Sequence, residues 1–385
     1  MFAKFYSHLL PLAFLGSFFG SNKSIAKTET LSWESFSTSV QGRALAGSTL
    51  TQPLTENLVF WASSRVADES WISENATLSS RIAQGKGRFE MSALKLENSG
   101  DFSSFEVSQP SISSVGDLRS KMAMSGSEIF SSHIENGFRY YERGVSTGFF
   151  YSKRRIAVRE SSERIDFRVH RDFVSQLAVS GPLFEKQSVG RLEFGTGLKF
   201  VVRKGDEVFF DALSAEQSLD DSLFVKSAYA AGLDYSMLYT LPSKWTKSFQ
   251  IQLALVWKDV GTTQFFIGNK TSKNKRFEAL PNNQSFGVGV GLPNIWRGTQ
   301  AAFRVEYREW KRDVSILNKS IVSLELRAAR LLSVWTGLRG TRFAGGLGFR
   351  FPNVELSLAS FSHFLGESGN EYSSRSFAME MKGIF

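Results

Sequence analysis

Cysteine is absent from the 385 residues, which excludes a disulfide framework, a thiolate metal site and a cysteine nucleophile. Its absence also suits an oxidising periplasm, where stray thiols would mispair. Beyond residue 20 there is no apolar run long enough to cross a bilayer as a helix, which needs about 20 residues. Histidine is nearly missing: past the N-terminal region only His133, His170 and His363 remain, and no spacing ties one of them to a serine and a carboxylate. A hydrolase needs a nucleophile, a base and an orienting group, so an outer-membrane lipid hydrolase is a remote alternative and the chain reads as a non-enzyme.

What is abundant is dispersed apolar and aromatic surface. Hydrophobic residues make up 42% and aromatics 14%, with 35 Phe, yet mean hydropathy is −0.16. Many aromatics without helical spans is the combination of a β-barrel, whose strands expose only alternate residues to lipid. Lys and Arg outnumber Asp and Glu by 46 to 37. That excess fits attraction to lipopolysaccharide headgroups or an acidic solute, or plain solvation of loops and interior. No basic–aromatic nucleic-acid module is present, so nucleic acid is not a partner.

Residues 1–26 read as a cleaved signal peptide. Lys4 and His8 precede the apolar run Leu9–Gly20, and Ser24 and Ala26 supply the small residues of a peptidase site.

A two-residue rhythm dominates the chain from residue 145 onward. Ile165, Phe167, Val169, Phe173, Leu177 and Val179 alternate with Asp166, Arg168, His170, Asp172 and Gln176. Leu192, Phe194, Leu198, Phe200 and Val202 alternate with Arg191, Glu193, Gly195, Gly197, Lys199 and Arg203. Similar series run through Tyr235, Leu253, Val288, Phe303 and Leu347. Successive side chains of a strand point to opposite faces, so each segment has one apolar and one polar or glycine-rich face. The implied strands are long enough for a tilted membrane crossing, whereas globular strands usually have about 5–6 residues.

The connections alternate in length. With the C-terminus in the periplasm, 204–228, 260–284, 311–319 and 362–374 become outer loops, and only 340–341 breaks the long-outside, short-inside rule. Counting back to residue 88 gives roughly 14 strands. The Ser-rich segment 98–136, with a possible helix at Ser114–Ala123, fits either an outer loop or an insert in the lumen. The expected organisation is therefore 1–26 signal peptide, 27–87 N-terminal hatch and first-strand region, and 88–385 antiparallel barrel in the outer membrane of a Gram-negative bacterium.

The last strand carries Phe377, Met379, Met381 and Phe385, a two-spaced end closing on an aromatic residue that resembles the signal by which barrel-assembly machinery recognises clients. Gly42-Arg43-Ala44-Leu45-Ala46-Gly47, Leu192 through Arg203, Ala231 through Tyr235, Lys258 through Phe265, and Leu338 through Gly348 together resemble the FadL-like superfamily of long-chain fatty-acid transport barrels. The TraF-like and PorV-like branch is the nearest in pattern. The resemblance implies about 14 strands and an inward-folded N-terminal hatch, with Gly42, Arg43, Ala44, Leu45 and Gly47 as hatch candidates. Trp61-Ala62-Ser63 stands where that family carries Asn-Pro-Ala, a departure at the hatch.

Two functions follow. One is passage of a hydrophobic or amphipathic, fatty-acid-like molecule, with Arg168, His170, Lys199, Arg203, Arg304 and Arg308 as lumen-facing ligand candidates. The other is a non-transporting barrel that holds a secretion, conjugation or envelope-assembly partner. No cofactor or metal site is implied: the acidic residues between 206 and 221 lack the alternate-oxygen spacing of a Ca²⁺ loop. Purified without detergent, residues 27–385 should precipitate, and in detergent they should give a β-type circular dichroism spectrum; a stable water-soluble monomer would refute the reading.

Overall fold

A computed structural model describes residues 88–99, 112–124, 129–142, 145–159, 164–186, 188–211, 219, 226–242, 249–267, 277, 279–280, 282–296, 299–308, 315–328, 331–365 and 372–385. The expected signal peptide and the hatch with Gly42–Gly47 lie outside the described residues.

The strands are β1 Arg88–Ser99, β2 Ile129–Glu142, β3 Val145–Arg159, β4 Arg164–Lys186, β5 Gly190–Asp211, β6 Lys226–Thr240, β7 Gln250–Lys258, β8 Phe266–Ile267, β9 Asn283–Trp296, β10 Thr299–Tyr307, β11 Ser320–Ala328, β12 Leu332–Arg339, β13 Arg342–Arg350, β14 Val354–Leu365 and β15 Tyr372–Ile384. Two helices accompany them, α1 Val115–Met124 and α2 Ile316–Lys319. All fifteen strands share one sheet, and β8 is a two-residue continuation of the β7 edge, which leaves a ring of fourteen. Each strand pairs antiparallel with its sequence neighbour, and β1 pairs with β15 to close the ring. Phe89 and Phe385 exchange backbone hydrogen bonds of 2.9 and 2.8 Å at the seam.

Closure follows from chemistry. A backbone N–H or C=O without a partner in hydrocarbon costs several kcal/mol, so a strand sheet crosses a membrane only with no edges. The outward face carries the matching surface. Phe149, Phe173, Leu177, Leu198, Phe200, Phe286, Phe303, Val305, Leu347 and Met381 are exposed, while their neighbours in sequence are mostly buried. At ~3.3 Å per residue and a tilt of ~40°, the run from Phe173 to Leu183 covers about 25 Å, the height of an outer-membrane barrel's apolar band. The chain is a transmembrane β-barrel.

The β2–β3, β4–β5, β6–β7, β9–β10, β11–β12 and β13–β14 connections and Phe385 lie at one end, and the longest connections lie at the other. The 180–190 connection is shorter than the sequence suggests, because β4 and β5 run to 23 and 22 residues and meet through a turn at Ser188–Val189. Both strands project well past the apolar band.

That projection explains α1. Ser114 caps it, accepting from Asp117 N–H at 3.1 Å, and Ser113 N–H donates to the Asp117 carboxylate at 3.2 Å. Hydrogen bonds from the Ser113 hydroxyl and backbone hold that carboxyl below its usual value. Val115, Leu118 and Met122 pack with Ile112 and Leu219 onto Phe130, Ala157, Ile165, Phe167, Val169 and Phe210. Those strand residues share the parity of Phe138, Phe149, Phe173 and Phe200, so they point outward. The helix therefore covers the outside of the wall; it does not enter the lumen. Leu219 N–H donates to Ser113 C=O at 2.8 Å, joining the β5–β6 connection to this cover.

Phe303 lies outward in the middle of the band. Phe303→Arg should cost about 2–4 kcal/mol of folding free energy in a bilayer. Urea titration of folding into vesicles checks this, and a change under 1 kcal/mol would place Phe303 away from lipid.

Candidate functional site: the barrel lumen

The inward face of the wall is polar, charged and glycine-rich. Arg168, His170, Lys199, Arg203, Arg304 and Arg308 all take inward-facing positions, and apart from Arg308, which is half-buried, all are buried. Each of the five cations meets a carboxylate. Arg168 Nη2 lies 2.9 Å from Asp166, and Arg203 makes a two-pronged contact with Asp172 at 2.8 and 3.0 Å. Lys199 Nζ lies 3.1 Å from Asp234 and 2.8 Å from Asp259. Arg304 contacts Glu325 at 2.6 Å, and Arg308 contacts Glu306 at 3.1 Å. The spacing that puts these cations on one face also puts carboxylates beside them, so the lumen is a lattice of matched charges. Asp166 and Asp172, on the same face of β4 as His170, go to Arg168 and Arg203. His170 instead meets Phe277 edge-on, with centroids 5.8 Å apart.

Phe277 belongs to the stretch after β7. Here Asp259, Gly261 and Thr262 have φ of 52°, 83° and 67°, a left-handed stretch that bulges out of the strand and is closed by Thr262 N–H donating to Asp259 C=O at 2.9 Å. The bulge is pinned on both sides. Val260 N–H donates to Leu233 C=O at 2.9 Å, and Asp259 N–H donates to the Asp234 carboxylate at 2.7 Å. Thr263 Oγ1 donates to Asp259 at 2.7 Å. Gly232 makes room for this network, since a Cβ there would come within 2.5 Å of Thr263 Oγ1 and 2.8 Å of Lys199 Cε.

Tyr235 pairs with Trp257 and Tyr229 with Phe266, so the β7–β8 side carries an odd excess of residues across the bulge. An odd insertion exchanges the two faces. Phe265 thereby turns inward while Phe266 turns out to stack on Tyr229 at 5.9 Å. Arg203 Cζ sits 4.5 Å over the Phe265 ring.

Two apolar patches interrupt the charged lattice. The first joins Phe150, Val174, Ala178, Val201, Ala228 and Ala230 to Phe265, Leu280 and Phe277. The second joins Trp335, Ala344, Ala359, Phe361 and Ala378 on β12–β15. All the strand residues of both patches have inward parity, and the strand order sets the patches on opposite walls. Between them Gly287, Gly289 and Gly291 fall on the inward face of β9.

A further cluster joins β1, β2 and β3. His133 Nε2 lies 3.0 Å from Ser152 Oγ, His133 Nδ1 lies 3.9 Å from Glu97, and Lys95 lies 3.6 Å from Glu135. Sequence spacing does not reveal this meeting of histidine, serine and carboxylate; strand register does. The 3.9 Å separation exceeds hydrogen-bond reach, and Glu135 also lies 3.6 Å from His133 Nε2. The cluster thus reads as part of the ionic lattice.

No family model matches the chain, and no curated protein matches it. Among solved structures it is similar to the CymD monoaromatic hydrocarbon channel, at 8% identity over 82% of this chain and 92% of that one, with a TM-score of 0.42. The Pseudomonas putida toluene transporter TodX gives 11% identity, 92% and 99% coverage, and a TM-score of 0.41. CdiB from Acinetobacter baumannii gives 9% identity and 0.34, and the chain spans only 60% of its length. These superpositions are loose, and the functional reading below is built from the barrel's own residues.

Arg203 and Asp172 are both almost wholly buried. Asp172→Ala should destabilise the barrel by about 3–5 kcal/mol, and adding Arg203→Met should recover most of that loss. A double-mutant cycle in detergent, read by urea unfolding, checks the coupling; additive losses would contradict it.

Proposed function

We propose that the barrel passes a hydrophobic or amphipathic small molecule, of the fatty-acid kind, through its lumen. The short-turn end and Phe385 face the periplasm in this reading, in keeping with short periplasmic turns. One observation carries it: apolar patches on opposing inner walls, each set within paired charges. A water-filled pore for polar solutes gains nothing from Phe265, Leu280, Trp335 and Phe361 on its inner face, since wetting apolar area costs ~25 cal/mol per Å².

An amphipathic solute matches both surfaces. Its chain would rest on the Phe265–Leu280 patch, and its polar end would meet the Arg203–Asp172 and Lys199–Asp234–Asp259 groups beside that patch. Because those cations are already matched, an anionic head would have to exchange with a carboxylate and would be held weakly. Weak holding suits passage.

Uptake of a fluorescent long-chain fatty acid into proteoliposomes tests the proposal. Phe265→Ser with Leu280→Ser should lower uptake about tenfold or more, given ~1.5–3 kcal/mol per buried apolar side chain. Removal of residues 27–60 should raise uptake if that segment gates the lumen. No uptake by any form, with heat-modifiable folded barrels present, would turn the reading toward a partner-holding barrel.

A further inference from the structure

From β12 to β15 the inner wall is built of small residues. One cross-strand row runs Trp335, Gly346, Ala359 and Ala378, each directly opposite the next, and Ala344 and Gly348 flank it on β13. Four strands about 4.8 Å apart make this strip roughly 14 Å wide. Trp335 closes one end of it, and Phe361 stands beside it on β14. A Cβ at Gly348 would collide with the six-membered ring of Trp335, so the indole lies on a floor that only glycine leaves open.

At the Trp335 end three adjacent strands bring together hydrogen-bond donors that nothing accepts. Trp335 stands directly opposite Glu325, and Ser323, the next inward residue of β11, stands directly opposite Arg304. Arg304 Nη2 donates to Glu325 at 2.6 Å, which draws the guanidinium from its own row towards that of Trp335. Among the described residues, Arg304 Nη1, Ser323 Oγ and Trp335 Nε1 are buried without a hydrogen-bond partner. The three residues are only 2–3% exposed, so bulk water does not serve them. A buried donor without an acceptor carries the whole cost of losing its water, and native structures seldom leave one so. Three of them at one corner, beside an apolar strip, form the complement of a molecule with an acceptor oxygen at the end of an apolar body.

We propose that this corner binds the oxygen end of an apolar-chain solute, a carboxylate or a carbonyl, with the chain laid along Gly346, Ala359 and Ala378. No hydrogen bond restrains the Trp335 indole, so the ring turns off its glycine floor to admit the chain and presents its N–H to the oxygen. The proposal rests on the passage reading above and deepens it. At the Phe265 patch a head group must exchange with a carboxylate, whereas Arg304 Nη1, Ser323 and Trp335 have no acceptor to give up.

The test uses the purified full barrel in detergent, labelled with ¹⁵N at tryptophan and titrated with dodecanoate, methyl dodecanoate and dodecane. The Trp335 indole N–H resonance, assigned by its loss in Trp335→Phe, should move downfield with the oxygenated probes and stay in place with dodecane. Response to the acid alone names a carboxylate and response to the ester a carbonyl; either upholds the site. In calorimetric titrations Ser323→Ala and Trp335→Phe should each weaken binding about fivefold, the equivalent of ~1 kcal/mol for one hydrogen bond. Ser323→Ala should leave the urea midpoint unchanged or raised, which loss of a structural hydrogen bond would not do. Ala359→Leu, which fills the strip, should abolish binding; heat-modifiable migration reports its folding, and Ser323→Ala decides the matter where it does not fold. An unmoved N–H with every probe, an equal shift with dodecane, or full affinity in folded Ser323→Ala and Trp335→Phe would overturn the proposal. Fatty-acid uptake by the unaltered barrel with an unmoved N–H removes this site and keeps the transport reading; a shift without uptake does the reverse.

Discussion

Everything in this molecule answers to one constraint: hydrocarbon offers no hydrogen-bond partner to a peptide group. The backbone must satisfy itself, and a sheet can do so only as a ring. Because successive side chains then face lipid and lumen in turn, the polar residues of the wall are forced inside together. The β1–β15 pairing is thus the condition on which the inner lattice of charges depends.

Charges gathered inside a barrel create the next problem, since a buried ion alone is costly. The wall solves it by register. Arg203 faces Asp172, Arg304 lies near Glu325, and Lys199 sits between Asp234 and Asp259. Within this lattice the Asp259–Thr262 bulge reverses the wall's alternation and delivers Phe265 to the inside. The apolar patch is therefore a product of backbone geometry as much as of composition.

Much of the barrel was legible in the sequence because lipid writes directly onto it. From β3 onward, exposed Phe173, Leu198 and Phe303 alternate with buried polar or glycine neighbours, and the strands fall where that rhythm runs. β1 was less readable, because a register shift between Ser92 and Leu94 breaks its alternation. The helix at Val115–Met124 was visible as an element, but its place was not. Ile165, Phe167 and Val169 continue the lipid-facing rhythm although protein covers them, and a one-dimensional pattern does not distinguish two apolar covers. Inside the lumen, the inward position of Arg168, His170, Lys199, Arg203, Arg304 and Arg308 was legible from parity. Their partners were not: the meeting of His133 with Ser152 depends on which residue of β2 stands against which of β3. Phe265 was hidden for the opposite reason, since the bulge that turns it inward reverses the parity on which such a reading rests.

The seam has a consequence in time. Thirteen of the ring's junctions join strands that follow one another along the chain, whereas the Ser92–Glu380 contact joins positions separated by 288. Local hairpins form with little loss of chain entropy, and a junction so distant in sequence forms late. Assembly therefore proceeds as a curling ribbon whose two outermost strands meet at the end, and until they meet, any chaperone or insertase must shield those two strands.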